Sequence, residues 1–248
     1  MLKIVFLLFL PCLCIGQTAD EYYKKGSDAQ KKNNFQLALF YLNQAIQLEP
    51  NNCRYYISRS LWKLGGIEDL SKDSSLLRKS LVDIDFAIDK GCIESSDFSL
   101  KAFILHKMNL QKLAVDNYQK ALLMLNDTTS FETFNQRASI KDILEDYNGA
   151  IKDYTKAISI DPKKGEMLFS SRGFAKSKIN DLQGALSDYT KQIELNNYSS
   201  GTMAEMYFTR GCIKRRLNNK KGACEDWSKA GELGYMSAYN YIKSECNY

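Results

Sequence analysis

The 248 residues allow one or two domains with an ample core, and 44% apolar with 25% charged residues excludes a disordered chain or a polytopic membrane protein. Three prolines exclude a collagen-like or proline-rich chain, and a net charge of +5 is too small to require nucleic acid as a partner. Seven cysteines are an odd number, and more than a cytosolic protein usually carries.

The chain opens with Met1-Leu2-Lys3 and then runs from Ile4 to Ile15 without a charge. Twelve apolar residues are too few to cross a bilayer as a helix, which takes about 20, but they have the length of a signal-peptide core. Cys14 and Gly16 put small residues three and one positions before Gln17, so residues 1–16 are expected to be a signal peptide cleaved after Gly16. The alternatives are an uncleaved anchor and a lipoprotein signal, which fits badly because Pro11 precedes Cys12 and Leu13 precedes Cys14. Export places the mature chain, with five cysteines, in an oxidising space: periplasm, outer-membrane surface or medium.

From residue 19 onward one pattern recurs six times. Ala38, Ser80, Ala114, Ala150, Ala185 and Ala223 are small anchors separated by 42, 34, 36, 35 and 38 positions. Four residues after each stands a large residue (Leu42, Ile84, Tyr118, Tyr154, Tyr189, Trp227), and seven after come Ala45, Ala87, Ala121, Ala157, Gln192 and Ala230. These offsets share one helix face. A second small row, Gly26, Ser60, Ala102, Ala138, Gly173 and Gly211, lies twelve residues upstream of its anchor, except that Ser60 lies twenty upstream. Four residues earlier again an aromatic stands in every copy: Tyr22, Tyr56, Phe98, Phe134, Phe169 and Tyr207. Each copy therefore reads as two helices whose small rows let their backbones approach closely. The eight extra residues of the second copy, around Gly65 to Ser75, either extend its second helix backwards behind a longer turn, with Leu76, Leu77, Leu81 and Ile84 on its apolar face, or form a functional loop.

The pattern resembles the tetratricopeptide repeat, a helix-turn-helix unit of 34 residues. Pro50 and Pro162 stand where that family often ends the second helix. The resemblance implies an all-α, right-handed superhelical solenoid over residues 17–248. Its repeats fall near 19–52, 53–92, 95–128, 131–164, 166–199 and 204–235, with a capping helix over 236–246. It also implies a concave groove lined by the first helices, where Tyr23, Ser27, Ile57, Leu61, Phe103, His106, Asn135, Asp142, Phe174, Phe208, Cys212 and Arg215 would face a partner. Tyr23 and Ser27 stand where the chaperone-tail binders of the family have Lys and Asn, so their carboxylate clamp is not evident.

The residue before each first-helix small position is basic: Lys25, Arg59, Lys101, Arg137, Arg172 and Arg210. Three beyond each anchor come Tyr41, Asp83, Asn117, Asp153, Asp188 and Asp226. Arg and Asp occur together and are absent together, which predicts the pairs Arg59–Asp83, Arg137–Asp153, Arg172–Asp188 and Arg210–Asp226. A guanidinium can grip a carboxylate with two bonds. If exposed, such pairs contribute about 0–1 kcal/mol each and serve helix register more than stability.

Cys224 lies ten residues before Gly234 and Cys246 twelve after it, so an antiparallel turn brings them level and predicts a disulfide that staples the terminal helix. Cys53 and Cys92 stand at neighbouring helix ends of the second repeat and form a second candidate pair. Cys212 is left over, either a free thiol on the open face or another partner for Cys224. With one histidine, His106, and no HExxH, GxSxG, phosphate-loop or CxxC motif, neither a catalytic triad nor a metal site is supported. No cofactor is expected. The clusters Lys214-Arg215-Arg216 and Lys220-Lys221 read as a solvated turn. The expected function is a non-catalytic scaffold of the bacterial envelope or secreted space that binds a protein or peptide, with membrane contact peripheral at most. A glycan-binding accessory protein using the groove aromatics is the alternative, and a carboxylate-based hydrolase a weaker third.

Overall fold

A computed structural model describes residues 17–66, 74–92, 94–126, 129–195 and 198–246; the expected signal segment and the core of the second-repeat insertion lie outside them. Every regular element among the described residues is helical: α1 (Ala19–Lys31), α2 (Phe35–Leu48), α3 (Cys53–Gly65), α4 (Ser74–Asp89), α5 (Ser95–Lys107), α6 (Gln111–Met124), α7 (Phe131–Ile143), α8 (Tyr147–Ile160), the single turn α9 (Pro162–Gly165), a 3-10 turn (Glu166–Leu168), α10 (Phe169–Lys178), α11 (Leu182–Leu195), α12 (Ser200–Arg216), α13 (Lys220–Glu232), α14 (Ala238–Tyr241) and a closing π turn (Ile242–Cys246).

The chain divides into two compact units, with the boundary after Asn117 inside α6. In the first, α1 packs on α2, α2 on α3, α3 on α4 and α4 on α5. In the second, α7 packs on α8, α8 on α10, α10 on α11, α11 on α12, α12 on α13, and α13 on α14 and the closing turn. Within each unit, successive helices thus pack on one another in chain order, as repeats of a solenoid do.

Both small rows are buried, and the reason is steric. A Cβ on Gly26 would lie 2.9 Å from Trp62, and one on Gly211 would lie 2.7 Å from Trp227 and 3.1 Å from the Ala223 carbonyl. Ala38, Ser80, Ala150, Ala185 and Ala223 are fully excluded from solvent on the facing helices. Leu42, Ile84 and Trp227, four residues beyond their anchors, fill the space that this close approach leaves. Burying a side chain of that kind contributes roughly 1.5–3 kcal/mol. Gln192 is the one polar residue in the row seven beyond the anchor, and it is fully buried. Its Oε1 accepts from the Ser170 N–H at 3.1 Å, and its Nε2 donates to the Tyr198 hydroxyl at 3.0 Å. It thereby satisfies a backbone donor at the irregular start of α10.

The turn inside a pair has a fixed chemistry. Asn33, Asn109, Glu145, Asn180 and Asn218 hold left-handed φ values of 57–64°. The next residue caps the second helix: Asn34, Asp146, Asp181 and Asn219 accept from the N–H three positions on, at 2.9–3.2 Å. α2 ends at Leu48, shortly before Pro50, and α8 ends at Ile160, after which Pro162 opens a new turn. α4 begins six residues before its anchor, where α2, α6, α8, α11 and α13 begin three before theirs. It is the backward extension expected of the second repeat. α12 begins at Ser200, four residues before the expected start of the sixth repeat, and this added turn shapes the site below.

Candidate partner-binding site

The Arg–Asp rows form buried ion clusters. Arg59 Nη2 lies 2.6 Å from Asp83 Oδ1, Arg137 Nη2 2.7 Å from Asp153 Oδ1, Arg172 Nη2 2.6 Å from Asp188 Oδ1 and Arg210 Nη2 2.7 Å from Asp226 Oδ1. In each, the Arg Nε donates to the second carboxylate oxygen at 2.8–3.0 Å. A lysine four residues after the arginine closes a triad, with Lys63, Lys141, Lys176 and Lys214 at 2.7–2.9 Å from the same Asp. The guanidinium lies over the aromatic three residues before it: Tyr56, Phe134, Phe169 and Tyr207, at 4.6–5.5 Å. Arg59 and Arg172 also reach the preceding second helix, at Asn43 Oδ1 (2.9 Å) and Thr155 Oγ1 (3.2 Å).

Burial changes the energetics expected of these pairs. The carboxylates are 3–6% exposed, so exposed-pair energies do not apply. Removing one member leaves charge stranded away from water. Burial pushes Asp153 up, but the bonds from Arg137 and Lys141 outweigh it and hold the carboxyl below the ordinary range. Burial pushes the Lys63 ammonium down against the pull of Asp83. In the two copies without an Arg, Lys25 Nζ sits 5.9 Å over the Tyr22 and Tyr41 rings, and Lys101 pairs with Asp85 at 2.6 Å. The triads hold helix pairs together and are spent internally.

The expected groove residues fall into three groups. In the first unit, Tyr23 and Ile57 line a cavity of about 720 Å³ beside Arg54, Ser58 and the Cys53–Cys92 bridge. Tyr23 is already engaged there: its ring stacks on Tyr55 at 5.4 Å, Arg54 covers it at 4.4 Å, and its hydroxyl meets Ser58 Oγ at 3.1 Å. Ile57 packs against Leu77, Ile84 and Ile104. Ser27 is half-buried, Leu61 is exposed, Phe103 lies under Lys107 at 5.4 Å, and exposed His106 bonds Gln111 Oε1 through Nδ1 at 2.9 Å.

In the second unit, Asp142 and Phe174 line a cavity of about 310 Å³ with Ser170, Ser171, Tyr189, Thr202, Glu205 and Thr209. Asn135 is half-buried on the same helix as Asp142, and its carbonyl accepts from Ser139 Oγ at 3.0 Å. Burial pushes Asp142 above the ordinary carboxylate range, with Lys178 opposing. Burial, reinforced by Asp142 and then Asp188, pushes Tyr189 up to about 12, so its hydroxyl stays protonated.

Phe208, Arg215 and Cys212 form the third group, and the terminal segment covers them. Phe208 packs on Tyr235 and Tyr241 at 4.6 and 5.0 Å, and Arg215 Nε bonds Glu245 at 2.8 Å. The segment is held by a Cys224–Cys246 bridge with a Cα–Cα distance of 5.7 Å. Cys53 and Cys92 are bridged likewise at 6.1 Å. Cys212 is the free thiol among the described residues. It is half-buried against the cluster of Trp227, Cys224 and Cys246 rather than on an open face, and burial pushes the thiol up.

Two sets of residues escaped the sequence reading. The triad lysines carried a legible signal, since a lysine follows at four residues wherever Arg and Asp co-occur, while Ala29 and Leu105 stand there in the other two copies. Thr202 sits on the added first turn of α12, outside the register of the small rows, and Glu205 follows on the next turn.

A family model described as "Tetratricopeptide repeat" matches residues 19–52 and 131–164, the first helix pair of the chain and the pair α7–α8. The chain carries tetratricopeptide repeats. It is similar to the "DnaJ homolog subfamily C member 7 homolog" of Dictyostelium discoideum, 27% identical over 158 residues, covering 58% of this chain and 28% of that relative's length. In fold it matches the Cut9–Hcn1 structure of the APC/C (TM-score 0.71, 11% identity, 93% of this chain and 43% of that chain). It also matches PilW, described as a widely conserved type IV pilus biogenesis factor (TM-score 0.67, 12% identity, 85% and 91%). Tetratricopeptide arrays are generally non-catalytic protein–protein interaction scaffolds. Among the described residues no helix is long and apolar enough to cross a membrane.

Proposed function

We propose that the chain works outside the cytoplasm, in the bacterial envelope or secreted space, and holds an extended segment of a partner protein against the face formed by its first helices. The observation that carries this reading is the second-unit cavity, built almost wholly from first-helix side chains of α7, α10 and α12 and left open by the packing. The apolar leader at residues 4–15 and the two cystine bridges support the extracytoplasmic setting. PilW, a pilus biogenesis factor by its description, is a fold neighbour consistent with that setting. The side chains favour peptide over glycan. Tyr23 and Phe208, which a sugar would need as free stacking platforms, are covered by Arg54 and by Tyr235 and Tyr241.

The test is site-specific photocrosslinking in cells that export the protein. A benzophenone side chain at Asn135, His106 or Phe174 should give discrete partner adducts. The same group at exposed Val82 or Leu123 on the second helices should give none. Adducts from Val82 and Leu123 alone would overturn the reading.

A further inference from the structure

Four of the buried carboxylates among the described residues are matched with cations, and a fifth, Asp97, accepts from the Glu94 N–H at 2.9 Å. Asp83, Asp153, Asp188 and Asp226 each receive an arginine and a lysine. Asp142 is different. Its Oδ1 is buried and accepts no hydrogen bond from any described residue. A desolvated acceptor left unpaired costs free energy that a bound cation would return. Asp142 lines the 310 Å³ cavity of the second unit, and Glu205 brings a second carboxylate to the same cavity from α12.

The walls suit a cation with an aliphatic stem. Phe174 is 40% exposed and presents its ring to the cavity rim, with Tyr189 among the other lining residues. Lys178 Nζ already lies 5.1 Å from the Phe174 ring centre, so this ring takes an ammonium group within the free chain. The Ser170, Ser171, Thr202 and Thr209 side chains add hydroxyl oxygens able to accept from an N–H donor. Pockets for single side chains and small ligands begin at about 300 Å³, the size found here.

We propose that this cavity receives a basic side chain, lysine or arginine, from the bound segment, with Asp142 and Glu205 as counter-charges and Phe174 as the ring beside the cation. This deepens the partner-binding reading above and rests on it. Lys178 then acts as an internal competitor that lies close to the site in the free protein and lowers its affinity for a second cation.

The experiment selects random dodecapeptides on the full chain and measures the selected peptides by fluorescence anisotropy. The expected result is a recurrent lysine or arginine at one position, with at least tenfold weaker binding when it is replaced by norleucine, which keeps the stem and loses the charge. Asp142→Asn should cost a similar factor, and Lys178→Gln should tighten binding severalfold. Asp142→Asn should melt no lower than wild type, because it removes a desolvated charge and no bond. Peptides that bind with no basic recurrence, or equally well to Asp142→Asn, overturn the basic pocket while the groove reading stands. If no peptide is selected, the groove reading falls. A titration of N-acetyl-lysine methylamide followed by NMR then decides the pocket alone: saturable shifts at Ser170, Ser171 and Thr209 support it, and their absence overturns it.

Discussion

At the scale of residues, the molecule uses aspartate in two opposed ways. In the triads a buried carboxylate is over-matched by cations, and Asp153 is held below its ordinary range. Its stabilising contribution is complete above the unfolded carboxylate value and is lost as the pH falls through the depressed native one. Asp142 is pushed up instead, so the native state binds that proton more tightly, and its contribution weakens as the pH rises through the raised value. Asp153→Asn should therefore cost about 3 kcal/mol at pH 7, by stranding Arg137 and Lys141. The gap from wild type should shrink as the pH falls below about 4. Urea unfolding of both proteins across pH 3–7 checks this, and a gap that stays constant with pH would contradict it. The Arg–Asp covariation was readable in one chain because repeats supply their own comparison. That Asp142 Oδ1 accepts no hydrogen bond among the described residues was not, since the acids left without one are decided by packing between helices of different repeats.

Among the helices, turns and caps carry the register. Four of the five left-handed turn positions use asparagine, whose short polar side chain tolerates that conformation, and the fifth is Glu145 at a φ of 62°. Glu145→Asn should raise stability by roughly 0.5–1 kcal/mol, seen as a higher denaturation midpoint with an unchanged slope. A loss of stability would show that Glu145 has a compensating contact. Gly234, at a φ of 98°, turns the chain back so that α14 and the π turn lie on α13. The bridge to Cys246 then closes that loop, a constraint of about 3 kcal/mol in the chain-entropy account. The double variant Cys224→Ser, Cys246→Ser should expose the terminal segment to proteolysis near Gly234 while leaving the rest intact by mass spectrometry. An unchanged digestion pattern would mean that Phe208, Tyr235 and Tyr241 hold it unaided. The helix pairs were legible because small rows at fixed offsets force close approach, and the two cysteines because an antiparallel turn sets equal distances on both sides. The first turn of α12 and the broken start of α10 were not, because they depart from the offset that made the rest legible.

For the whole molecule, the account has one direction of dependence. Small rows let helices meet closely, the triads lock four of the six pairs, and the packed pairs leave first-helix side chains free to shape a surface. The division into two compact units, inside α6, was invisible in the repeat spacing, because the anchors on either side of it keep ordinary intervals. Nothing in the triads or the buried rows is left to contact a partner. On the reading proposed above, partner capture falls on the first helices, and on α7, α10 and α12 above all, where the open cavity lies. The most direct measurement is hydrogen–deuterium exchange of the protein with and without a captured partner segment. The account predicts added protection in α7, α10 and α12, with α8, α11 and α13 unchanged. Protection confined to α8, α11 and α13 would contradict it.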